Sequence, residues 1–452
     1  MSKNSINIEN IDDFNPWHKN DNFTFTKEKA LRKRDQFYLV QDYLKSDLMV
    51  SIVGLRRTGK STIIKQLINS LFEQKIKPSR IFFYEFEDER VNLDKTLKFY
   101  FKNILREDLY ETECYIFLDE LQMIEGWQNV VKKYYDINSQ IKFIVSGSTH
   151  LYLHKNTKES LAGRIVDVKL LPFSWLEFLN FKYKKRYSTI EHIFENNFLD
   201  KLQNQADILL YKSDFLTFIS WGEFPQFFKE EKLDNLNQYY KNSILEKIFL
   251  KDIQFFDINN RMDFENFFKT LNQNTTQEIN ISNLSRELEM SRSEIKKYFN
   301  ILKKMFLYSL VYKYEKTFRK QIRSFKKGYV TSLNLLNAIS DTNFWNIDND
   351  KFGHIIETFV FNELQKCGLE NVTFYHDTKK KKEVDFILKK GGHLLPVEVK
   401  TVEEVRLKHL KNLIFFAKKN NEQRSIVIYG GDEIKYETIQ GIRIEFLPYW
   451  VV

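Results

Sequence analysis

The chain has 452 residues, enough for two to four domains, so core size sets no limit on what it can do. Cys114 and Cys367 are its only cysteines, which excludes a disulfide scaffold, a zinc knuckle and a redox pair, and fits a reducing compartment such as the cytoplasm. Apolar residues make up 42% and charged residues 29%, no run reaches the ~18 apolar residues of a membrane span, and the net charge of +9 suits either a polyanionic partner or evenly solvated lysine.

Met1–Asn22 mixes acids and lysines without an apolar stretch, so it reads as neither a signal nor a transit peptide. Gly and Pro together number 20, well below the ~12% of average usage, which predicts long elements with short connections. Phe25 to Lys45 has the spacing of an amphipathic helix. It forms a lead-in segment over 1–45.

Leu48 to Val53 is a short apolar strand, followed at once by Gly54-Leu55-Arg56-Arg57-Thr58-Gly59-Lys60-Ser61-Thr62 and then a helical stretch to Phe72. The spacing is G-x-x-x-x-G-K-S/T. Gly54 and Gly59 let main-chain N–H groups face a phosphate, Lys60 reaches the β and γ phosphates, and the Ser61 hydroxyl ligates magnesium. Arg57, Thr58 and Thr62 complete the expected nucleotide-contacting set.

A second strand, Cys114 to Leu118, ends in Asp119-Glu120. Asp119 is expected to hold magnesium through water and Glu120 to polarise the attacking water; the weaker alternative is a helix cap. A third strand, Ile141 to Val145, ends in Ser146, the preferred γ-phosphate contact, with Ser148 as the other candidate. Arg80 to Tyr84 is a further buried strand, and strands alternating with helices at this spacing predict a parallel sheet. Arg164 is a candidate sensor of the γ-phosphate in its own subunit or a neighbouring one, or a plain surface arginine.

The run from Gly54 to Ser61, through Asp119-Glu120-Leu121-Gln122, Val145 to Ser148 and Leu161 to Val166, to Leu170-Leu171-Pro172-Phe173-Ser174, resembles the prokaryotic AAA-type ATPases with a DUF4143 C-terminal region. That resemblance spans nearly the whole chain. It implies that Lys60, Ser61, Asp119 and Glu120 are ATPase residues, with ATP and Mg²⁺ as cofactors, and it extends to Arg164. The implied domain covers 46–171.

A helical, aromatic-rich bridge is expected over 172–247, broken at Gly222-Glu223-Phe224-Pro225, where Glu223 replaces the second glycine of the resembled family's turn. Over 248–345, Leu284 and Leu288 and then Ile295, Phe299 and Leu302 describe two short helices with a tight junction, and Ser291 with Glu294 forms a capping box. Leu307–Tyr314 and Tyr329–Thr331 are the expected wing strands, flanking Lys316, Arg319, Lys320, Arg323, Lys326 and Lys327. The winged helix either grips DNA, with Arg292, Ser293, Lys296 and Lys297 in a groove, or merely packs on the ATPase.

From 346 to 452 a helix carrying Glu357 near its start precedes strands with Asp385 and Glu398-Val399-Lys400. Alternation puts Glu398 and Lys400 on one face, where Asp385 can join them. Acids that hold magnesium beside a lysine that orients water suit attack on a phosphodiester. The arrangement resembles the PD-(D/E)XK nuclease fold, which implies Glu357, Asp385 and Glu398 as metal ligands and Asp385, Glu398 and Lys400 as the catalytic set. The expected fold class is α/β: a parallel P-loop sheet, a helical and winged-helix region, and a nuclease-like α/β domain. The expected function is ATP hydrolysis coupled to action on nucleic acid, DNA first; the alternative is an ATP-switched DNA- or protein-binding regulator with a silent nuclease-like domain. A homo-oligomer is compatible with Arg164, and no membrane is involved.

Overall fold

The computed structural model describes residues 9–86, 91–147, 161–184, 192–195, 197–203, 210–228, 236–340, 349–369 and 371–452. The chain divides into two compact units, Met1–Leu171 with Gln254–Asp257, and Pro172–Ile253 with Ile258–Val452, a coarser division than the five sequence segments.

The first unit is built on five parallel strands: β1 (Met49–Val53), β2 (Ile81–Glu85), β3 (Cys114–Asp119), β4 (Ile141–Gly147) and β5 (Ile165–Lys169), in the order β2-β3-β4-β1-β5. Every residue of β1, β3 and β4 is buried, as a sheet covered on both faces requires. Helices Lys60–Glu73, Leu93–Tyr100 and Trp127–Ile137 are the crossovers. The insertion of β4 between β1 and β3 places the carboxyl ends of all three side by side, the position where open α/β sheets bind ligands.

The single lead-in helix expected over Phe25 to Lys45 is two helices, Thr26–Ala30 and Asp35–Tyr43. The break has a cause. Arg34, only 6% exposed, turns its guanidinium into the fold, and Nη1 donates to the main-chain oxygens of Thr58 and Leu171, each at 3.0 Å.

The second unit contains an eight-stranded sheet of order β12-β13-β11-β10-β9-β8-β6-β7. Its strands are β6 (Tyr308–Lys313), β7 (Lys326–Val330), β8 (Thr373–Asp377), β9 (Lys382–Lys390), β10 (His393–Lys400), β11 (Arg424–Tyr429), β12 (Lys435–Ile439) and β13 (Ile442–Pro448). The two strands read as a wing form a hairpin, but β6 also pairs in parallel with β8, Tyr312 opposite Thr373, so the hairpin is the edge of the C-terminal sheet. Helices Ile281–Glu287 and Arg292–Lys304 precede it, and Ser291 with Glu294 makes the expected capping box. Between β9 and β10, Gly391 and Gly392 take φ of 58° and 88°, a turn that side chains oppose.

Glu223, which replaces the second glycine of the resembled family's turn, lies inside the fold. It is 1% exposed and caps the helix Leu333–Ser340, accepting from the Ser332 hydroxyl at 2.6 Å and the Asn334 N–H at 3.0 Å. Lys366 lies 3.8 Å from Glu223 and 3.2 Å from Glu363, which also accepts the Trp175 N–H at 3.0 Å. One lysine thus serves two buried acids, and burial pushes the Glu363 carboxyl up to about 7. Below the ordinary carboxylate value of 4.5 both states hold that proton; between there and about 7 only the folded state does, so stability falls as pH rises through this window. The shift is worth at most about 3 kcal/mol. Glu363→Gln removes the titration, so hydrogen exchange in the helix Asn349–Lys366 should lose its pH-dependent loosening; an unchanged slope would assign that loosening to another group.

Candidate functional site

The phosphate loop leaves β1 at Val53. Gly54 is required by close approach, since a Cβ there would lie 2.0 Å from the Leu170 oxygen; Gly59 is required by its φ of 101° as the residue before the helix Lys60–Glu73. Thr58 donates its hydroxyl to the Leu55 oxygen at 2.9 Å, and Arg34 braces the same turn from outside. Sequence reasoning missed Arg34, which lies 24 residues upstream of its contact and carries no motif. Lys60 is buried and points back over the loop, donating to the Gly54 and Leu55 oxygens at 3.2 and 3.0 Å. Arg57 is exposed, and Ser61 and Thr62 are half-buried at the start of the helix.

Asp119 ends β3 fully buried. Its Oδ1 accepts the Ser146 hydroxyl and the Glu120 N–H, the latter at 3.0 Å, whereas Oδ2 is buried without a hydrogen bond of ordinary geometry. Burial pushes this carboxyl up, Glu120 adds to the shift, and Ser146, Ser61 and Lys60 oppose it. A buried carboxylate oxygen with no hydrogen bond of ordinary geometry, next to a serine at a helix start, fits a divalent cation. Ser146 spends its hydroxyl on Asp119, so in this arrangement it orients the acid. Ser148 lies outside the described residues. Glu120 adopts a left-handed backbone, φ 53°, and accepts from the Gln122 amide.

Arg164 requires a correction as a sensor in its own subunit. It immediately precedes β5, its main-chain oxygen accepts the Met49 N–H at 2.8 Å, and its side chain pairs with Asp136 at 3.2 Å. That is the amino-terminal edge of the sheet, whereas the loop leaves the carboxyl-terminal edge after the four steps from Met49 to Val53, about 13 Å further along the strand.

In the second unit Asp385, Glu398 and Lys400 come together, and Glu357 is near enough to interact electrostatically with them. Lys400 Nζ is 2.7 Å from Glu398 Oε1 and 4.0 Å from Asp385 Oδ2, and Asp385 Oδ2 also accepts the Val399 N–H at 2.8 Å. Glu357 lies in the middle of the helix Asn349–Lys366 rather than near its start, because that helix begins before Phe352. Its Oε1 accepts the Tyr329 hydroxyl at 2.7 Å and Lys327 at 3.2 Å. Lys327 corrects another expectation. Read as a wing cation facing a phosphate, it is 5% exposed and holds Glu357 and, at 2.6 Å, Glu383. Period-two alternation along β7 puts Lys327 and Tyr329 on one face, a signal available in the sequence once the strand is begun at Lys326 rather than Tyr329.

Burial drives the pKa of both Glu357 and Glu398 upward. Asp385 adds to each shift, while Lys327 opposes it at Glu357 and Lys400 opposes it at Glu398. Among the described residues no group of three or more His, Cys, Asp and Glu side chains stands in a ready-made metal shell. The donor set still fits a hard cation in one respect: Glu398 Oε2 is buried with no hydrogen-bond partner.

Comparison with known proteins divides along the same chain. Residues 46–179 match the AAA domain, residues 352–450 match the domain of unknown function DUF4143, and residues 212–345 match the domain of unknown function DUF8612. An uncharacterized protein of Methanocaldococcus jannaschii is 26% identical over 95% of this chain and 92% of its own length. An uncharacterized protein of Haemophilus influenzae is 24% identical over 94% and 99%. Among solved structures, the Walker-type ATPase of Pyrococcus abyssi is similar at 15% identity and a TM-score of 0.40, covering 70% of this chain and 97% of that one. The Pif1 helicase of Candida albicans is similar at 13% identity and a TM-score of 0.25, covering 40% and 48%. No helix among the described residues is long and apolar enough to cross a membrane. The chain therefore carries an AAA domain built around its phosphate loop, followed by a DUF4143 domain.

Proposed function

We propose that this protein hydrolyses ATP in its first unit and acts on nucleic acid, DNA first, through a magnesium-dependent phosphodiester-cleaving site in its second. The observation that carries the second half is the meeting of Asp385, Glu398 and Lys400 on one sheet face, within electrostatic reach of Glu357 on the neighbouring helix, with Glu398 Oε2 unpartnered. In the first unit, Lys60 would exchange loop oxygens for β and γ phosphate oxygens, Ser61 and Asp119 would hold magnesium, and Glu120 would orient water. Arg57, Thr58, Gly59 and Thr62 complete the cradle. Placed at the far edge of its own sheet, Arg164 would sense a γ-phosphate only in a neighbouring copy, which fits a homo-oligomer.

In the second unit Glu357, Asp385 and Glu398 would hold the cation, whose contribution is to neutralise charge on the phosphate and activate water. Lys400 would release Glu398 and orient the attacking water. Tyr329 and Lys327 keep Glu357 aimed. The second reading, an ATP-switched binder with a silent cluster, rests on the same lysines, which already neutralise the acids without a metal.

The test is incubation of the full chain with labelled single- and double-stranded DNA, with Mg²⁺ or Mn²⁺ and with or without ATP, beside Asp385→Ala and Lys400→Ala. Metal-dependent cutting by wild type is expected, falling by about 10²–10⁴-fold in either variant while ATP turnover stays intact. Cutting that survives in purified Lys400→Ala protein would refute the assignment of Lys400, and salt-sensitive retention of DNA without cutting under either metal would favour the silent cluster.

A further inference from the structure

Between β6 and β7 the chain projects a short helix, Phe318–Arg323, none of whose residues is buried. Three large apolar side chains stand in solvent there: Phe318 is 76% exposed, Phe325 54% and Ile322 48%. Lys316, Arg319, Lys320 and Arg323 are exposed between them, and among the described residues none of the four is in an ion pair. From Lys313 to Lys326 the sequence carries six bases and one acid, Glu315. Exposed rings cost solvation and unpaired cations repel one another, so folding alone does not account for either.

The surface continues inward. A groove of about 460 Å³ is lined by Lys313, Arg319, Lys320, Arg323 and Phe325. Next to it, sharing Lys313 and Glu315, is a cleft of about 320 Å³ lined by Lys316, Lys379, Lys419, Tyr375 and His376. That cleft reaches the β8–β9 turn, and β9 carries Asp385 three residues beyond Lys382, about 10 Å away along the strand.

We propose that the hairpin tip is a binding platform for single-stranded nucleic acid: bases stack on Phe318 and Phe325, phosphates lie on Lys316, Arg319, Lys320 and Arg323, and the strand runs along the lysine-lined cleft toward Asp385. Interleaved rings and cations suit a flexible strand, whose bases are free to stack while its phosphates repeat at short intervals. A duplex hides its base faces and would use the cations alone. An anionic membrane would take the rings and cations of the tip but gives no role to the lysine-lined cleft behind it. This inference rests on the nucleic-acid part of the proposed function and not on cleavage.

Binding is therefore measured without chemistry, on the full-length Asp385→Ala chain in EDTA and without ATP, by anisotropy of a labelled oligothymidine and a labelled duplex across a salt series. Phe318→Ala/Phe325→Ala should weaken single-strand binding by about tenfold per ring, with the salt dependence unchanged and duplex binding barely moved. Arg319→Gln/Lys320→Gln/Arg323→Gln should weaken both ligands and flatten the salt dependence. All these side chains are exposed, so the variants should melt as the parent does. Unaltered oligothymidine affinity in the double-ring variant would overturn the proposal, as would ring-dependent binding seen only with vesicles of phosphatidylserine. Binding that follows the rings, beside a wild type that cuts no DNA, would uphold the platform and remove only the catalytic reading.

Discussion

Lys60→Ala is expected to lower ATP turnover by about 10²–10³-fold, the usual cost of removing one charge aimed at a developing negative centre. Lys60 is 5% exposed and its donors rest on the Gly54 and Leu55 oxygens, so its charge is already desolvated and positioned over the loop. Phosphate oxygens would replace two neutral acceptors with charged ones, which strengthens each bond at almost no cost in reorganisation. Asp119→Asn should be comparably damaging by a different route. It removes the anion that Ser146 and Ser61 serve, and should show as lost Mg²⁺ dependence more than lost nucleotide affinity. Phosphate release under single-turnover conditions, paired with calorimetry of nucleotide binding, separates the two. Full turnover by Lys60→Ala would end the assignment of this loop as the hydrolytic site.

The first unit was the more legible because its chemistry is local. Nine residues from Gly54 to Thr62 carry the loop, and buried strands ending in Asp119 and Ser146 follow in the expected order. Arg34 and Arg164 show where that stops. Arg34 braces the loop through main-chain oxygens that no side-chain pattern encodes, and the position of Arg164 depends on which end of β5 faces the loop. In the second unit alternation along two strands brought Asp385, Glu398 and Lys400 to one face, whereas Glu357, on a helix, entered only through the resemblance and was placed too near the helix start. The hairpin was not legible, because β6 reaches β8 across about 60 residues and no spacing rule reports a pairing of that kind. Lys327 follows from the same cause: as part of a free wing it belongs with the exposed bases, and as part of a sheet edge covered by the helix of Glu357 it belongs inside.

Lys327→Met should therefore act on stability before it acts on chemistry. The lysine side chain is 6% exposed and faces Glu357, 13% exposed, so its loss leaves a buried carboxylate with only Tyr329 on Oε1. Breaking a buried pair from one side costs about 3–5 kcal/mol, against the few tenths typical of an exposed pair. Lys400, 29% exposed, should cost less when replaced in the same way, because water reaches its side of the cluster. The informative step is to add Mn²⁺. A cation bound by Glu357, Asp385 and Glu398 would supply the positive charge that Lys327→Met removed, so urea unfolding of the variant should recover much of the loss with metal while wild type gains less. Recovery that also requires Asp385 would tie the effect to the cluster. Equal loss with and without Mn²⁺ would mean that Lys327 is a structural tie and that the acids around it do not gather a metal.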